Sequence, residues 1–334
     1  MFNLFPRKHP SLPQNDSKRQ QEKRLKQLEN TQGKYVWDLE HPNVAPVPMV
    51  KEVPKEADPT LIWGITVLKV LVPIVDNLVA NVKDAAELVD IKDGLNEVSE
   101  AVGSLKPGQQ LALITNTTEM LKSLVDLYLR LVRSEVKEYR EGAGLEAYKD
   151  LFKKIPLPAV ADVFQQNDVF ARYRVAGQNP MLIKGISSLP GNFPVSEAGY
   201  QKVMGEDDTL VEALAENRIY LLDYYELEIL VDNPQGPEKQ VFAPIALFAI
   251  PKGDKSLTPV AIQSGQNKDD FAITYAVENN DNSPEYWQWQ AAMSLVQVAD
   301  GNYHELFVHL GRTHLIIEAF TIATNRCLAE SHPV

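Results

Sequence analysis

The stretch that decides the reading runs Tyr303-His304-Glu305-Leu306-Phe307-Val308-His309-Leu310-Gly311-Arg312-Thr313-His314-Leu315-Ile316-Ile317-Glu318-Ala319-Phe320. A helix drawn through it is apolar nearly all round, with Leu306, Phe307, Val308, Leu310, Leu315, Ile316, Ile317, Phe320 and then Ile322. Such a pattern predicts a buried helix. Four of the six histidines, His304, His309, His314 and His332, lie on it or beside it. Buried polar groups need partners. A backbone carbonyl would satisfy one histidine there; a cluster points to a metal ion.

The spacing excludes two common helical metal sites. His304 and His309 are one residue too far apart for a zincin helix, whose histidines stand at i and i+4. The Glu-x-x-His pairs of di-iron bundles are also missing. Five residues turn an ideal α-helix through about 500°, leaving neighbours roughly 140° apart. His304, His309 and His314 can therefore face one ion only if the helix carries i→i+5 turns, a π-bulge of the kind that gathers at functional sites. Imidazole suits iron, copper or zinc. Glu318 stands one turn beyond His314, so His309, His314 and Glu318 would make a two-histidine-one-carboxylate iron site.

Extended to residue 333, the same stretch resembles the iron-binding helix of lipoxygenases nearly residue by residue. The resemblance rests on Tyr303-His304-Glu305-Leu306, His309-Leu310, Arg312-Thr313-His314-Leu315, Glu318, Phe320, Ala323-Thr324, Arg326, Leu328 and His332-Pro333. Asp168-Val169-Phe170-Ala171-Arg172 and Ala176-Gly177-Gln178-Asn179-Pro180 resemble a second lipoxygenase signature. Arg218-Ile219-Tyr220-Leu221-Leu222-Asp223-Tyr224 and Pro259-Val260-Ala261-Ile262 resemble a third region. The resemblance is good over residues 157–334 and poor over the first 156. The family's usual N-terminal β-barrel lipid-targeting domain is not apparent, as in some compact bacterial members.

This resemblance implies a mainly α fold: an incomplete lipoxygenase-like helical catalytic domain with a small β-rich insert. It implies non-haem iron as cofactor, with His309 and His314 as metal ligands. Under it His304 stands beside the ion without binding it, and Glu318 loses the ligand role that spacing alone gave it. A π-turn in this helix is a family trait. The implied substrates are a polyunsaturated fatty acid and O2. In the family, iron cycling between ferrous and ferric states takes a hydrogen atom from the methylene between two cis double bonds. Oxygen then adds to the pentadienyl radical, giving a hydroperoxide.

The departures shape the expectation. The family's further ligands, a His-x-x-x-Asn pair and the carboxylate of a terminal isoleucine, have no counterpart before Val334, and His332 matches neither. Ala319 stands where many members have proline. The chain thus reads as the N-terminal portion of a lipoxygenase, inactive alone and completed by a separate C-terminal half. Two imidazoles leave most of an ion's coordination to water, so affinity should be weak and pH-dependent. An apolar helix without its covering partners predicts association. The competing expectation is a non-catalytic helical fragment that binds lipid or a protein.

Outward from the helix, Ser283-Pro284 reads as an N-cap with proline at the first helical position. Asp300-Gly301 reads as punctuation between that helix and a second one over residues 303–326. Residues 218–263 read as a strand-rich insert. There Leu227, Ile229 and Val231 alternate with neighbours, Asp232-Asn233-Pro234-Gln235-Gly236 supplies a turn, and residues 241–250 and 257–262 give further strands. Residues 59–156 read as helical, with Ile114, Leu121, Val125, Tyr128, Val132 and Val136 on one face, Lys106-Pro107-Gly108 as a break and Pro73 as a kink.

Residues 1–58 form a basic arm and a Pro-rich linker. Arg7, Lys8, Lys18, Arg19, Lys23, Arg24, Lys26 and Lys34 face only Asp16, Glu22 and Glu29. The arm reads as a solvated tail or short exposed helix, with peripheral membrane contact as the functional alternative. Pro42, Pro46, Pro48, Pro54 and Pro59 argue against helix or sheet pairing in the linker.

Composition sets the outer bounds. With one cysteine, Cys327, among 334 residues there is no disulfide scaffold. A hydrophobic share of 44% excludes a mostly disordered chain. The net charge of −12 argues against nucleic acid as a partner. The opening residues lack a secretory signal. The longest apolar run, residues 61–75, is interrupted by Lys69 and Pro73 and falls short of the about 20 residues a bilayer needs. The expected location is the cytoplasm. Asn116-Thr117-Thr118 then matches a glycosylation acceptor only by chance, and no nucleotide or serine-hydrolase motif occurs.

Overall fold

A computed structural model of the chain describes residues 10–40, 47–58, individual positions between 60 and 81, residue 144, and residues 146–231, 240–278 and 282–334. The chain forms two compact units: Met1–Glu52 together with Val163–Val334, and Val53–Asp162. In the second unit the described positions from 63 to 77 are helical, and Glu146–Lys149 forms a short helix. Asn77 ties this unit together. Its Nδ2 donates to the Leu151 carbonyl at 2.8 Å, and its Oδ1 accepts the N–H groups of Lys153 and Lys154 at 2.8 and 2.9 Å. The expected helix face from Ile114 to Val136, the break at Lys106-Pro107-Gly108, the Asn116 motif and the turn at 232–236 lie outside the described residues.

The first unit opens with helix α1, Lys18–Lys34, whose N-cap Ser17 N–H is accepted by Gln20 Oε1 at 2.9 Å. Strands β1, Trp37–Asp38, and β2, Met49–Val50, then pair antiparallel. That pairing corrects the expectation that the Pro-rich linker holds none. Pro48 directly precedes β2 and so removes no ladder donor. Helix α2, Asn167–Ala176, is followed by strand β3, Lys184–Gly185, helices α3, Glu197–Met204, and α4, Leu210–Ala215, and strand β4, Ile219–Asp223. Strands β5, Ile245–Ala249, β6, Thr258–Gln263, and β7, Ile273–Tyr275, complete an antiparallel sheet in the order β3-β4-β5-β6-β7.

Strand periodicity places two cores on the two faces of this sheet. Ala246, Phe248, Leu222 and Ile262 pack with Phe170 and Trp289 on one side. Ile245, Leu247, Ala249 and Val260 pack with Phe193, Tyr200 and Leu210 on the other. Pro259 sits in the interior strand β6, where it has no N–H to give. The register slips there, Leu247 pairing with Ala261 and Phe248 with Pro259, a bulge that absorbs the proline. The strand expected over Leu227, Ile229 and Val231 is instead a turn of 3-10 helix, Tyr225–Leu227, running into an α-helical turn, Glu228–Val231. Tyr224 and Leu227, three apart, are fully buried while Ile229 is 65% exposed, a helical rather than a strand period.

Helix α5, Pro284–Tyr303, starts as expected: Ser283 accepts the Tyr286 N–H at 3.1 Å and Pro284 occupies the first position. Its Trp289, Ala292, Met293, Val296 and Ala299 are buried in the sheet-facing core. The expected break at Asp300-Gly301 does not occur. The helix continues as a π-helix, His304–Ile316, and then as helix α6, Ile317–Cys327. The Asp300 side chain is taken up by tertiary partners instead of terminating the helix, and Gly301 faces open space. By length and composition this continuous helix, Pro284–Cys327, would suffice to cross a bilayer. Helix α1 lies along α6, where Gln32 Nε2 donates to the Arg326 carbonyl and Arg326 Nη1 donates back to the Gln32 carbonyl, both at 2.9 Å. The described residues are mainly helical with two small sheets, in keeping with the mainly α fold that the sequence implies.

Candidate metal centre

An i→i+5 ladder brings residues five apart onto one face, where an α-helix would splay them. Within His304–Ile316 the result is direct: His314 Nε2 lies 2.9 Å from His309 Nε2, and the ring centroids are 4.7 Å apart. Thr313 marks the same geometry, its hydroxyl donating to the Val308 carbonyl five residues back at 3.0 Å. Two ligand nitrogens each ~2.1 Å from one ion and at right angles stand ~3.0 Å apart. The histidine pair therefore fits two adjacent positions on a metal ion. Beyond that pair, no cluster of three or more His, Cys, Asp or Glu side chains among the described residues could hold an ion.

Glu305 orients the first of the two rings. Its Oε2 lies 3.0 Å from His309 Nδ1. A carboxylate accepts only, so Nδ1 carries the hydrogen and Nε2 keeps the lone pair that a metal needs. The bond from His309 holds the Glu305 carboxyl below its usual range, against a small opposing push from burial.

His304 sits one π-turn earlier, its ring stacked on that of His309 at 6.0 Å and 15°. Its Nδ1 lies 3.2 Å from Asn179 Oδ1. Glu318 is turned elsewhere: its Oε1 accepts the Val50 N–H at 3.0 Å, drawing β2 onto α6. The carboxylate that spacing alone offered as a third ligand is thus engaged by backbone.

A buried polar cluster stands at the end of α5, one that no sequence pattern marks as such. Arg174, Asn179, Tyr224 and Asp300 are all buried. Tyr224 Oη donates to Asp300 Oδ1 at 2.7 Å, Asn179 Nδ2 donates to the same oxygen at 2.8 Å, and Arg174 Nη1 stands 3.5 Å from it. Arg174 also donates to Gln297 Oε1 and to Tyr224 Oη. Burial first, and then the Asp300 charge, push the Tyr224 hydroxyl up from its ordinary value, so it stays protonated and donates. The visible signal was the Gly177-Gln178-Asn179-Pro180 stretch, read as a signature without an assigned contact.

The expectation that the histidine helix is buried is corrected. No residue of the π-helix is buried, and in α6 only Ile322 is. Leu310, Ile317 and Phe320 are exposed, Phe320 by 63%. Cover comes from α1 and β2 against α6, and from the sheet-side core against Phe307 and Val308.

The family model described as Lipoxygenase matches residues 128–334. The linoleate 9/13-lipoxygenase of Pseudomonas aeruginosa is 38% identical over 361 aligned positions, covering 99% of this chain and 52% of that protein. That alignment takes in the first 156 residues, where the resemblance had been poor. The polyunsaturated fatty acid lipoxygenase ALOX15B of Homo sapiens is 32% identical over 195 positions, covering 57% of this chain and 28% of that protein. Among solved structures, a calcium-dependent 11R-lipoxygenase shares the fold with a TM-score of 0.67 at 22% identity, over 98% of this chain and 41% of that one. The chain spans about half the length, or less, of the relatives it matches.

Proposed function

The chain belongs to the lipoxygenase family, and from that premise we propose that it is the part of a fatty-acid dioxygenase that carries two ligands of a non-haem iron, His309 and His314. The observation that carries the reading is the 2.9 Å approach of their Nε2 atoms on the π-helix. When bound, the iron would supply the one-electron chemistry by which a polyunsaturated fatty acid and O2 become a hydroperoxide. The protein's own part is positional. Glu305 keeps the His309 hydrogen on Nδ1, so the Nε2 of that ring can face the ion. The exposed apolar side chains Leu310, Ile317 and Phe320 offer the kind of surface that excludes water from an acyl chain once covered.

Two imidazoles do not complete an iron site, so the remaining ligands would come from a C-terminal half, whether joined to this chain or supplied as a separate partner. In this reading the chain works in the cytoplasm, which suits its one exposed, unpaired Cys327. The mostly exposed basic helix α1 leaves room for peripheral membrane contact.

The test is reconstitution: the chain mixed with the missing C-terminal portion of the Pseudomonas aeruginosa relative, given linoleate and ferrous iron. Conjugated-diene formation that disappears with His309→Ala supports the reading. An assembled complex that holds no iron overturns it. A second reading, a non-catalytic fragment that binds lipid or protein through its apolar helix, is favoured by the exposed Leu310, Ile317 and Phe320. It predicts fatty-acid or partner binding without iron.

A further inference from the structure

The π-helix needs an external reason to exist. Such geometry is rare and usually lasts a single turn, yet here it runs over 13 residues. One side chain grips the helix on both sides of the point where α gives way to π. Asn179 Nδ2 donates to the Asp300 carbonyl and to Asp300 Oδ1, each at 2.8 Å. Its Oδ1 faces His304 Nδ1 at 3.2 Å. Residue 300 lies in the last turn of α5, and residue 304 is the first of the π-helix.

Chemistry fixes the orientation of this amide. Both Asp300 partners accept only, so the NH2 end must face them and the oxygen must face His304. His304 Nδ1 must then be the donor. The junction shows why the grip matters. The His304 N–H is shared between the carbonyls of Asp300 and Gly301. Asn179 donates to the same Asp300 carbonyl, whose second lone pair can accept it. Asn179 is itself held: it is 6% exposed, and the Asp300 carboxylate it binds is fixed by Tyr224 and Arg174.

We propose that Asn179 is a positioning residue that brackets Asp300 and His304, fixes where the helix changes from α to π, and thereby sets His309 and His314 face to face. This rests on the reading of those two histidines as the metal pair, but it can be measured in the metal-free chain.

The experiment is histidine-selective 15N NMR of the full chain, followed by titration with cobalt(II). In the unsubstituted protein the His304 ring shows a single tautomer with hydrogen on Nδ1, and the His309 and His314 rings show mutual contacts. Asn179→Leu, nearly isosteric, is expected to mix the His304 tautomers, weaken the ring contacts and lower cobalt affinity about tenfold, as losing an outer-shell partner does. Gln297→Leu removes a partner of Arg174 outside the bracket; it should lower the melting temperature and leave the His304 signal and the affinity unmoved. A merely structural role would make the two variants alike, and that result overturns the proposal. Should Asn179→Leu fail to fold, His304→Phe keeps the ring stack and removes the donor. Unchanged His309–His314 contacts in that variant also overturn the proposal. If the chain takes up no cobalt at the pair even when the C-terminal portion is supplied, the metal reading fails, while the ring signals still decide the bracket.

Discussion

His314 Nε2 stands 2.9 Å from His309 Nε2 across one turn of the π-helix. Without an ion, one nitrogen must donate to the other; with one, both lone pairs turn to the metal. Either His309→Ala or His314→Ala should therefore reduce cobalt(II) affinity at least tenfold. His332→Ala should leave it unchanged, since that ring accepts the Val334 N–H at 3.2 Å. Calorimetric titration of the three variants distinguishes them.

Gly177 supports the bracket from below. A Cβ built there would lie 2.2 Å from the carbonyl oxygen of Tyr173, and main chain has little room to yield. Gly177→Ala should lower stability by about 1–3 kcal/mol, the range for overpacking. Because Gly177 closes α2 two residues before Asn179, the same variant should also disturb the His304 ring signal. A melting curve and the 15N spectrum together check both effects.

A buried ion pair secures the far face of the sheet. Burial pushes the Asp208 carboxyl up, yet bonds from Arg218 at 2.8 and 3.0 Å and from the Lys252 N–H at 2.9 Å win and hold it below its usual range. A carboxyl lowered on folding adds stability above its unfolded value and loses it as pH falls through its folded one. Arg218→Ala should cost about 3–5 kcal/mol at neutral pH, as breaking a buried pair does. The difference from the unsubstituted chain should shrink below the ordinary carboxylate range. Denaturant midpoints at neutral and acid pH measure it.

The uncovered helix face should drive association. Ile317 is 52% exposed and Phe320 63%, with Leu310 and Ile316 on the same helix also exposed. Replacing Ile317 and Phe320 together by glutamine should shift the chain toward monomer in light scattering. Unchanged mass would mean that another surface holds the copies together.

What could be read from the sequence was periodic or chemical. The i, i+5 histidine spacing announced a π-turn, because no α-helix can bring those rings together. Ser283-Pro284 announced a helix start, because cap chemistry is local. The misreadings came where tertiary contacts overrode local pattern. Leu227, Ile229 and Val231 alternate like a strand, but Tyr224 and Leu227 are the pair that buries. Asp300-Gly301 has the look of a break, but Asn179, more than a hundred residues away in sequence, holds Asp300 inside the helix. The apolar helix looked buried because an apolar pattern reports the side chains themselves and never says which residues cover them.

The contact between α1 and α6 carries a consequence for the order of events during synthesis. Gln32 meets Arg326 across 294 residues, and the Ser11 N–H meets the Ser331 carbonyl at 2.8 Å. Residues 11–35 leave the ribosome well before the residues that form their seat. Until then α1, mostly solvent-facing and rich in Lys and Arg, is held by local contacts such as its own turns and the Asp16–Arg24 pair at 2.7 Å. Contacts so distant in sequence form late. A segment made so long before its seat should therefore dock late, and a nascent chain stopped short of residue 317 should leave it open to protease.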